Sequence, residues 1–220
     1  MWINVETPGE FMADALRQSL SEEAADGDGG GPEQRQAHRF TLLIRAAKLI
    51  TDQGEFLCVI RDASETGLAV ALFHPLPACD RYLVEFQNGD RHEATLVWER
   101  EGRAGFQFSD PADIVRIIES PSEFTKRPMR VELKRQGMLY AGVNAFDVEM
   151  LNISPQGAKI ACRAEIAIDR NVRLSVGGLP ELQAKVRWRR LGVCGLVFEN
   201  TLQLSELARL VAAIHGLTGK

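Results

Sequence analysis

Two short polar stretches hold the side chains best suited to chemistry in this sequence. In "RQAHR", Arg35 and Arg39 stand four residues apart. "DASETG" begins 23 residues after Arg39 and holds Asp62, Ser64 and Gly67. Asp62 and Ser64 are two apart at the end of an apolar run, and on a strand that spacing sends both side chains to one face. A carboxylate there accepts hydrogen bonds, and the hydroxyl beside it donates or accepts. The arginine guanidinium is a flat fork of donors that matches phosphate and the O6/N7 edge of guanine, and its plane stacks on a base. An arginine pair facing an Asp/Ser pair therefore suits a guanine nucleotide, the carboxylate taking the guanine N1–H and exocyclic amine. Gly67 lets the backbone turn with no side chain in the way. Taken singly, each piece has a plainer use. Paired arginines usually form a solvated face, and Ser-x-x-Gly is an ordinary β-turn.

The pattern returns ninety residues on. Asn152, Ser154 and Gly157 in "NISPQG" repeat Asp62, Ser64 and Gly67 at an offset of 90. Trp98, Gly105 and Phe108 recur at the same offset as Trp188, Gly195 and Phe198. Two long copies indicate a tandem domain and not a solenoid. The arginine arm repeats less well. Aligning Arg130-Val131 with Arg39-Phe40 puts Lys126 where Arg35 sits, and a lysine is a point charge that cannot make the bidentate fork. Lys126, Arg130, Asn152, Ser154 and Gly157 thus form a second, incomplete candidate set.

The elements that must position these side chains are mostly strands. Apolar runs at Phe56–Ile60 and Leu68–Phe73 flank the first polar turn. Tyr82, Val84 and Phe86 share one face of a short strand, and "TLVW" and "AGFQF" supply two more. Asn88-Gly89 predicts a two-residue hairpin, because both residues tolerate positive φ. Short strands with frequent turns indicate a barrel or sandwich, and closure removes exposed edges. A helix is expected after each set. In the first, Asp110 is the N-cap, Pro111 the first helical residue, and Ile114, Ile117 and Ile118 the apolar stripe. In the second, Leu207, Leu210, Val211 and Ile214 form the stripe and Gly216 ends it. Both stripes are expected to cover an open barrel end. Upstream, "FMADALRQSLSEEAA" predicts a short helix and "DGDGGGP" a flexible linker. The expected domains are a tail and linker at 1–33, a first domain at 34–120 and a second at 121–220.

Bulk properties narrow the function. The 220 residues are 45% hydrophobic and 25% charged, as in ordinary globular proteins. A net charge of −4 provides no basic field for DNA or RNA. No apolar run reaches the ~18–20 residues of a membrane span, and the N-terminus lacks the basic start of a signal peptide. Cys58, Cys79, Cys162 and Cys194 are far apart without CxxC spacing, so buried free thiols of a reducing cytosol are expected. His38, His74, His92 and His215 have no ligand or triad spacing. With no nucleophile–base pair, phosphate-binding loop or metal signature, the expectation is a cytoplasmic protein that is not an enzyme and uses no metal or cofactor.

RxxxR at 35–39 followed by DxSxxG at 62–67 resembles the PilZ domain family, bacterial receptors for the second messenger cyclic di-GMP. The "A-x-x-x-W…G-x-x-F" pattern late in each copy is also similar to the family, and the resemblance spans roughly 34–120 and 122–216. It implies a mainly β fold: two tandem six-stranded antiparallel β-barrels of split-barrel type, each followed by a C-terminal helix. It implies that Arg35 and Arg39 clamp phosphates and guanine, that Asp62 and Ser64 hold the other guanine side, and that Gly67 shapes the turn. Thr66 departs from the second glycine usual in members, Gln34 precedes the arm, and Asn152 is accepted in place of Asp. The function implied is a cyclic di-GMP receptor that signals by domain rearrangement to a protein partner in motility, exopolysaccharide or adhesion machinery. The alternative is an adaptor of the same fold that binds protein and ignores nucleotide. Such members usually lack the arginine arm, which is present in the first copy.

Overall fold

A computed structural model of the chain describes residues 40–113, 117 and 128–217. All belong to the compact unit that begins at Ala37. The first copy contributes β1 (Phe40–Thr51), β2 (Gly54–Ser64), β3 (Gly67–Leu72), β4 (Tyr82–Glu85), β5 (Arg91–Arg100) and β6 (Arg103–Phe108). These close into an antiparallel barrel in the order β1-β2-β3-β6-β5-β4. The second contributes β7 (Val131–Ala141), β8 (Asn144–Ser154), β9 (Gly157–Ala161), β10 (Asn171–Val176), β11 (Leu182–Arg190) and β12 (Val193–Phe198), closed as β10-β11-β12-β9-β8-β7. The helix α1 (Leu204–Ile214) follows. The mainly β expectation of two six-stranded antiparallel barrels therefore holds.

Alternation of large apolar residues with small or polar ones drives closure. Leu68, Val70 and Leu72 on β3 point inward, as do Tyr82 and Val84 on β4 and Val172, Leu174 and Val176 on β10. Burying one such large side chain contributes about 1.5–3 kcal/mol. Their alternation also fixes register, because a one-residue slip would turn the whole set to solvent.

The copies share their irregularities. β2 bulges between Ile60 and Asp62, and β8 between Met150 and Asn152. β5 bulges between Leu96 and Trp98, and β11 between Val186 and Trp188. Trp98 pairs with Gly105 and Trp188 with Gly195, and in each case a Cβ on the glycine would collide with the indole. The repeated Trp…Gly spacing thus marks a ring laid across a neighbouring strand. Phe40 faces Ala63 as Val131 faces Ile153, which supports the alignment of Arg130 with Arg39. β1 is irregular across residues 42–44 and β7 across 133–134, so the first copy holds one extra residue there.

Some local expectations need correction. Asn88-Gly89 is not a two-residue hairpin. The turn runs from Phe86 to Gly89, whose amide donates to the Phe86 carbonyl at 2.9 Å. Only Gly89 takes a positive φ, of 89°. Asn88 instead uses its side chain, its Oδ1 accepting from the Asp90 amide at 3.0 Å. Cys58, Cys162 and Cys194 are buried free thiols, but Cys79 is only half-buried. Of the first expected helix, Ile117 is helical and packs in the first barrel's core, while Ile114 and Ile118 lie outside the described residues. The N-terminal tail lies outside them as well. Among the described residues, no helix is long and apolar enough to cross a membrane, and no group of three or more His, Cys, Asp or Glu could hold a metal.

The expected stripe on α1 holds at Leu207, Val211 and Ile214, whereas Leu210 is half-buried and joins neither core, and the helix serves both barrels. Leu207, Ala208 and Val211 enter the second barrel's core, and Ala212 packs in that of the first. The helix ends at Ile214, and Gly216 two residues beyond takes a φ of 86°. Just before it, the His215 ring packs on Phe56 at 5.3 Å between centroids, and Phe56 also meets His74 at 5.5 Å. Gly54 lies under that imidazole, where a Cβ would come within 2.6 Å of the ring. Nε2 of His215 is buried with no hydrogen-bond partner among the described residues. Burial lowers its pKa, Arg135 lowers it further, and Glu55 partly opposes them. The unfolded chain therefore takes up the proton more readily, so stability is present above the ordinary value of 6.5 and is lost as pH falls below it. His215→Gln is expected to flatten that acid limb in urea unfolding at a series of pH values. An unchanged limb would exclude His215 as its source.

Candidate functional site

The polar turn between β2 and β3 is tightly fastened. After its bulge, β2 sets Asp62 opposite Thr41 on β1 and Ala69 on β3, half-buried. Ser64 is 6% exposed. Its hydroxyl donates to the Gly67 carbonyl at 3.3 Å and lies 3.4 Å from Thr66 Oγ1. Ser154 is fully buried and donates to the Gly157 carbonyl at 3.1 Å. Both serines thus close their own turns, which leaves the oxygen lone pairs of Ser64 as its remaining capacity. The Thr66 carbonyl accepts from the Phe108 amide at 2.9 Å and that of Glu65 from Ala112 at 2.8 Å, so the turn is stitched to the end of β6 and the chain just beyond it. Pro155 and Gln156 do the same for Leu202 and Phe198.

Gly67 is required for a reason other than turn conformation, since its φ is not among the positive ones. A Cβ there would strike the Phe106 carbonyl oxygen on β6, and one on Gly157 would strike that of Leu196 on β12. The glycine thus lets the neighbouring strand approach the turn.

The arm residues Arg35, Arg39 and Lys126 lie outside the described residues. In the second copy, Arg130 immediately precedes β7, as Arg39 precedes β1. Its Nη1 donates to Asn152 Oδ1 at 2.8 Å. The arm-end arginine and the motif asparagine therefore meet within the chain. Beside them is a cleft of about 280 Å³, lined by Lys48, Glu85 and Gln87 from the first barrel and by Arg130, Glu132 and Asn152 from the second.

Lys48, Glu55 and Glu85 were not singled out from the sequence. Lys48 is buried at 4% exposure and bridges both carboxylates at 3.0 Å. The available signal was a lone cation inside the apolar run "AAKLI". Cys58 offers no nucleophile, since burial pushes its thiol up to about 12.

Two closed six-stranded antiparallel barrels, each with a fastened polar turn between its second and third strands, define a tandem β-barrel protein. The PilZ domain family matches over residues 33–120 and again over 125–216, and the chain belongs to that family. No curated protein sequence matches the chain. Among solved structures, the Borreliella burgdorferi PlzA protein in complex with c-di-GMP is similar at 9% identity, covering 88% of this chain and 97% of its own, with a TM-score of 0.33. The Bacillus subtilis inhibitor of motility MotI/DgrA is similar at 15% identity, covering 79% and 95%, with a TM-score of 0.33. YcgR from Escherichia coli in complex with c-di-GMP is similar at 12% identity, covering 78% and 84%, with a TM-score of 0.31.

Proposed function

We propose that this protein is a receptor for cyclic di-GMP and that the first copy holds the nucleotide. The observation that carries this reading is the complete pairing of RxxxR with DxSxxG in the first copy, inside a PilZ match that begins at residue 33 and so includes both. Arg35 and Arg39 would grip phosphates and guanine, with Asp62 and Ser64 on the opposite guanine side and Gly67 keeping the turn close to β6. Binding then engages the arm and shifts the population of domain arrangements that a protein partner reads. The protein acts by binding and not by catalysis.

The second copy has a different role. Lys126 replaces the first arm arginine, and Arg130 is already engaged with Asn152. It therefore binds nucleotide weakly or not at all and serves as a structural or partner-facing domain. Calorimetric titration of the full chain with cyclic di-GMP is expected to reveal one class of site, assigned to the first copy. No heat of binding would remove the receptor reading and leave the adaptor. Two equivalent, independent classes would remove the distinction between the copies.

A further inference from the structure

The second motif has a use that needs no nucleotide. Lys48 on β1 is buried, and its ammonium lies 3.0 Å from Glu55 Oε2 and 3.0 Å from Glu85 Oε1. It also donates to the main-chain carbonyl of Arg130 at 3.2 Å. The Glu132 amide donates to Glu55 Oε2 at 2.7 Å. The first barrel thus grips the backbone on both sides of Val131, where the second barrel begins. All three protons of the ammonium have acceptors in this arrangement.

The barrel fold itself does not require this cluster. Lys48 pairs with Leu57 on β2 and Glu85 on β4, while its counterpart Met138 pairs with Asp147 on β8 and Ser175 on β10. Ile50 faces Glu55 as Tyr140 faces Ala145. Met, Ala and Ser in one barrel therefore stand where Lys, Glu and Glu stand in the other. The apolar surface differs in the same way. Leu57 is fully buried within the second barrel's core cluster, and Phe73 packs against that cluster. Their counterparts at an offset of 90, Asp147 and Arg163, are exposed. The first barrel carries ionic and apolar groups where it meets the second, and the second carries solvent-suited residues at the same places.

We propose that the motif end of the second barrel, at Arg130, Glu132 and Asn152, is a docking socket for the first barrel, keyed by Lys48. Leu57 and Phe73 supply adhesion, but apolar contact tolerates sliding. A desolvated ammonium is satisfied only where its acceptors converge, so the cluster selects one orientation and adds little net stability. Lys48 and Glu55 flank the tip of the β1–β2 hairpin, whose other end carries Asp62 and Ser64. One hairpin thus joins the candidate nucleotide turn to the socket.

The test is the distance distribution between nitroxide labels at Val97→Cys and Val143→Cys, in the full chain carrying Cys79→Ser, the other three cysteines being buried. The chain with Lys48 intact is expected to give one narrow distance. Lys48→Met is expected to broaden it about twofold or add a second distance. Because that change leaves Glu55 without its cation, while Glu85 keeps Arg91, a second variant combines it with Glu55→Gln and Glu85→Gln, which removes the carboxylate charges and keeps an acceptor for the Glu132 amide. It is expected to broaden equally while unfolding as cooperatively as the parent. A folded variant with the parent's width would overturn the proposal, as would a broad distribution in the parent. A triple variant that cannot fold would also overturn it, since the cluster would then serve the barrel and not the joint.

Discussion

Arg39→Ala is expected to weaken cyclic di-GMP binding by about 100-fold or more while both barrels stay folded. A guanidinium fork on a phosphate or guanine edge makes two charge-assisted hydrogen bonds of about 1.5–3 kcal/mol each. Losing both removes about 3–6 kcal/mol, and every 1.4 kcal/mol is about tenfold in affinity. Arg39 precedes β1 in the sequence, and its loss is expected to leave the unfolding curve unchanged. Arg39→Lys keeps the charge without the fork and should fall between the two. Calorimetry on full-length variants reads all three. An alanine variant that binds as tightly as the parent would show that the arm is not part of the site.

The largest stability effect is expected from Phe56→Ala, at about 3–5 kcal/mol. Phe56 is fully buried in the first barrel's core and lies against both His74 and His215. Removing its ring opens a cavity in that barrel and takes away the surface on which the residue after α1 rests. The counterpart, Phe146, is only half-buried against the second barrel's core, so Phe146→Ala should cost distinctly less. Equilibrium urea unfolding of the two variants gives the comparison. Equal losses would mean that the histidine contacts and deeper burial of Phe56 add nothing.

Much of this architecture was legible in residue order because its causes are local. The alternation of Tyr82, Val84 and Phe86 gives a strand and its inward face, whatever lies beyond it. The Trp98–Gly105 spacing and its repeat at Trp188–Gly195 mark two copies from residue order alone. The Asn88-Gly89 hairpin was misplaced because the same dipeptide fits several turns. Its hydrogen bonds are decided by where β4 and β5 end. For Gly67, the sequence indicated the need for glycine but not its cause, which is the Phe106 carbonyl on β6, 39 residues away.

The candidate site divides along the same line. Residue types and spacing alone determined the RxxxR and DxSxxG constellation, its incomplete repeat and the chemistry it suits, because hydrogen-bonding capacity belongs to the side chain. Tertiary structure alone decided that Ser64 and Ser154 turn inward to close their own turns, that Arg130 meets Asn152, and that Lys48 is buried between the barrels. Those outcomes depend on which surfaces come together. Burial changes a polar group's options by removing water as a partner, and no local pattern records which strand will take the water's place.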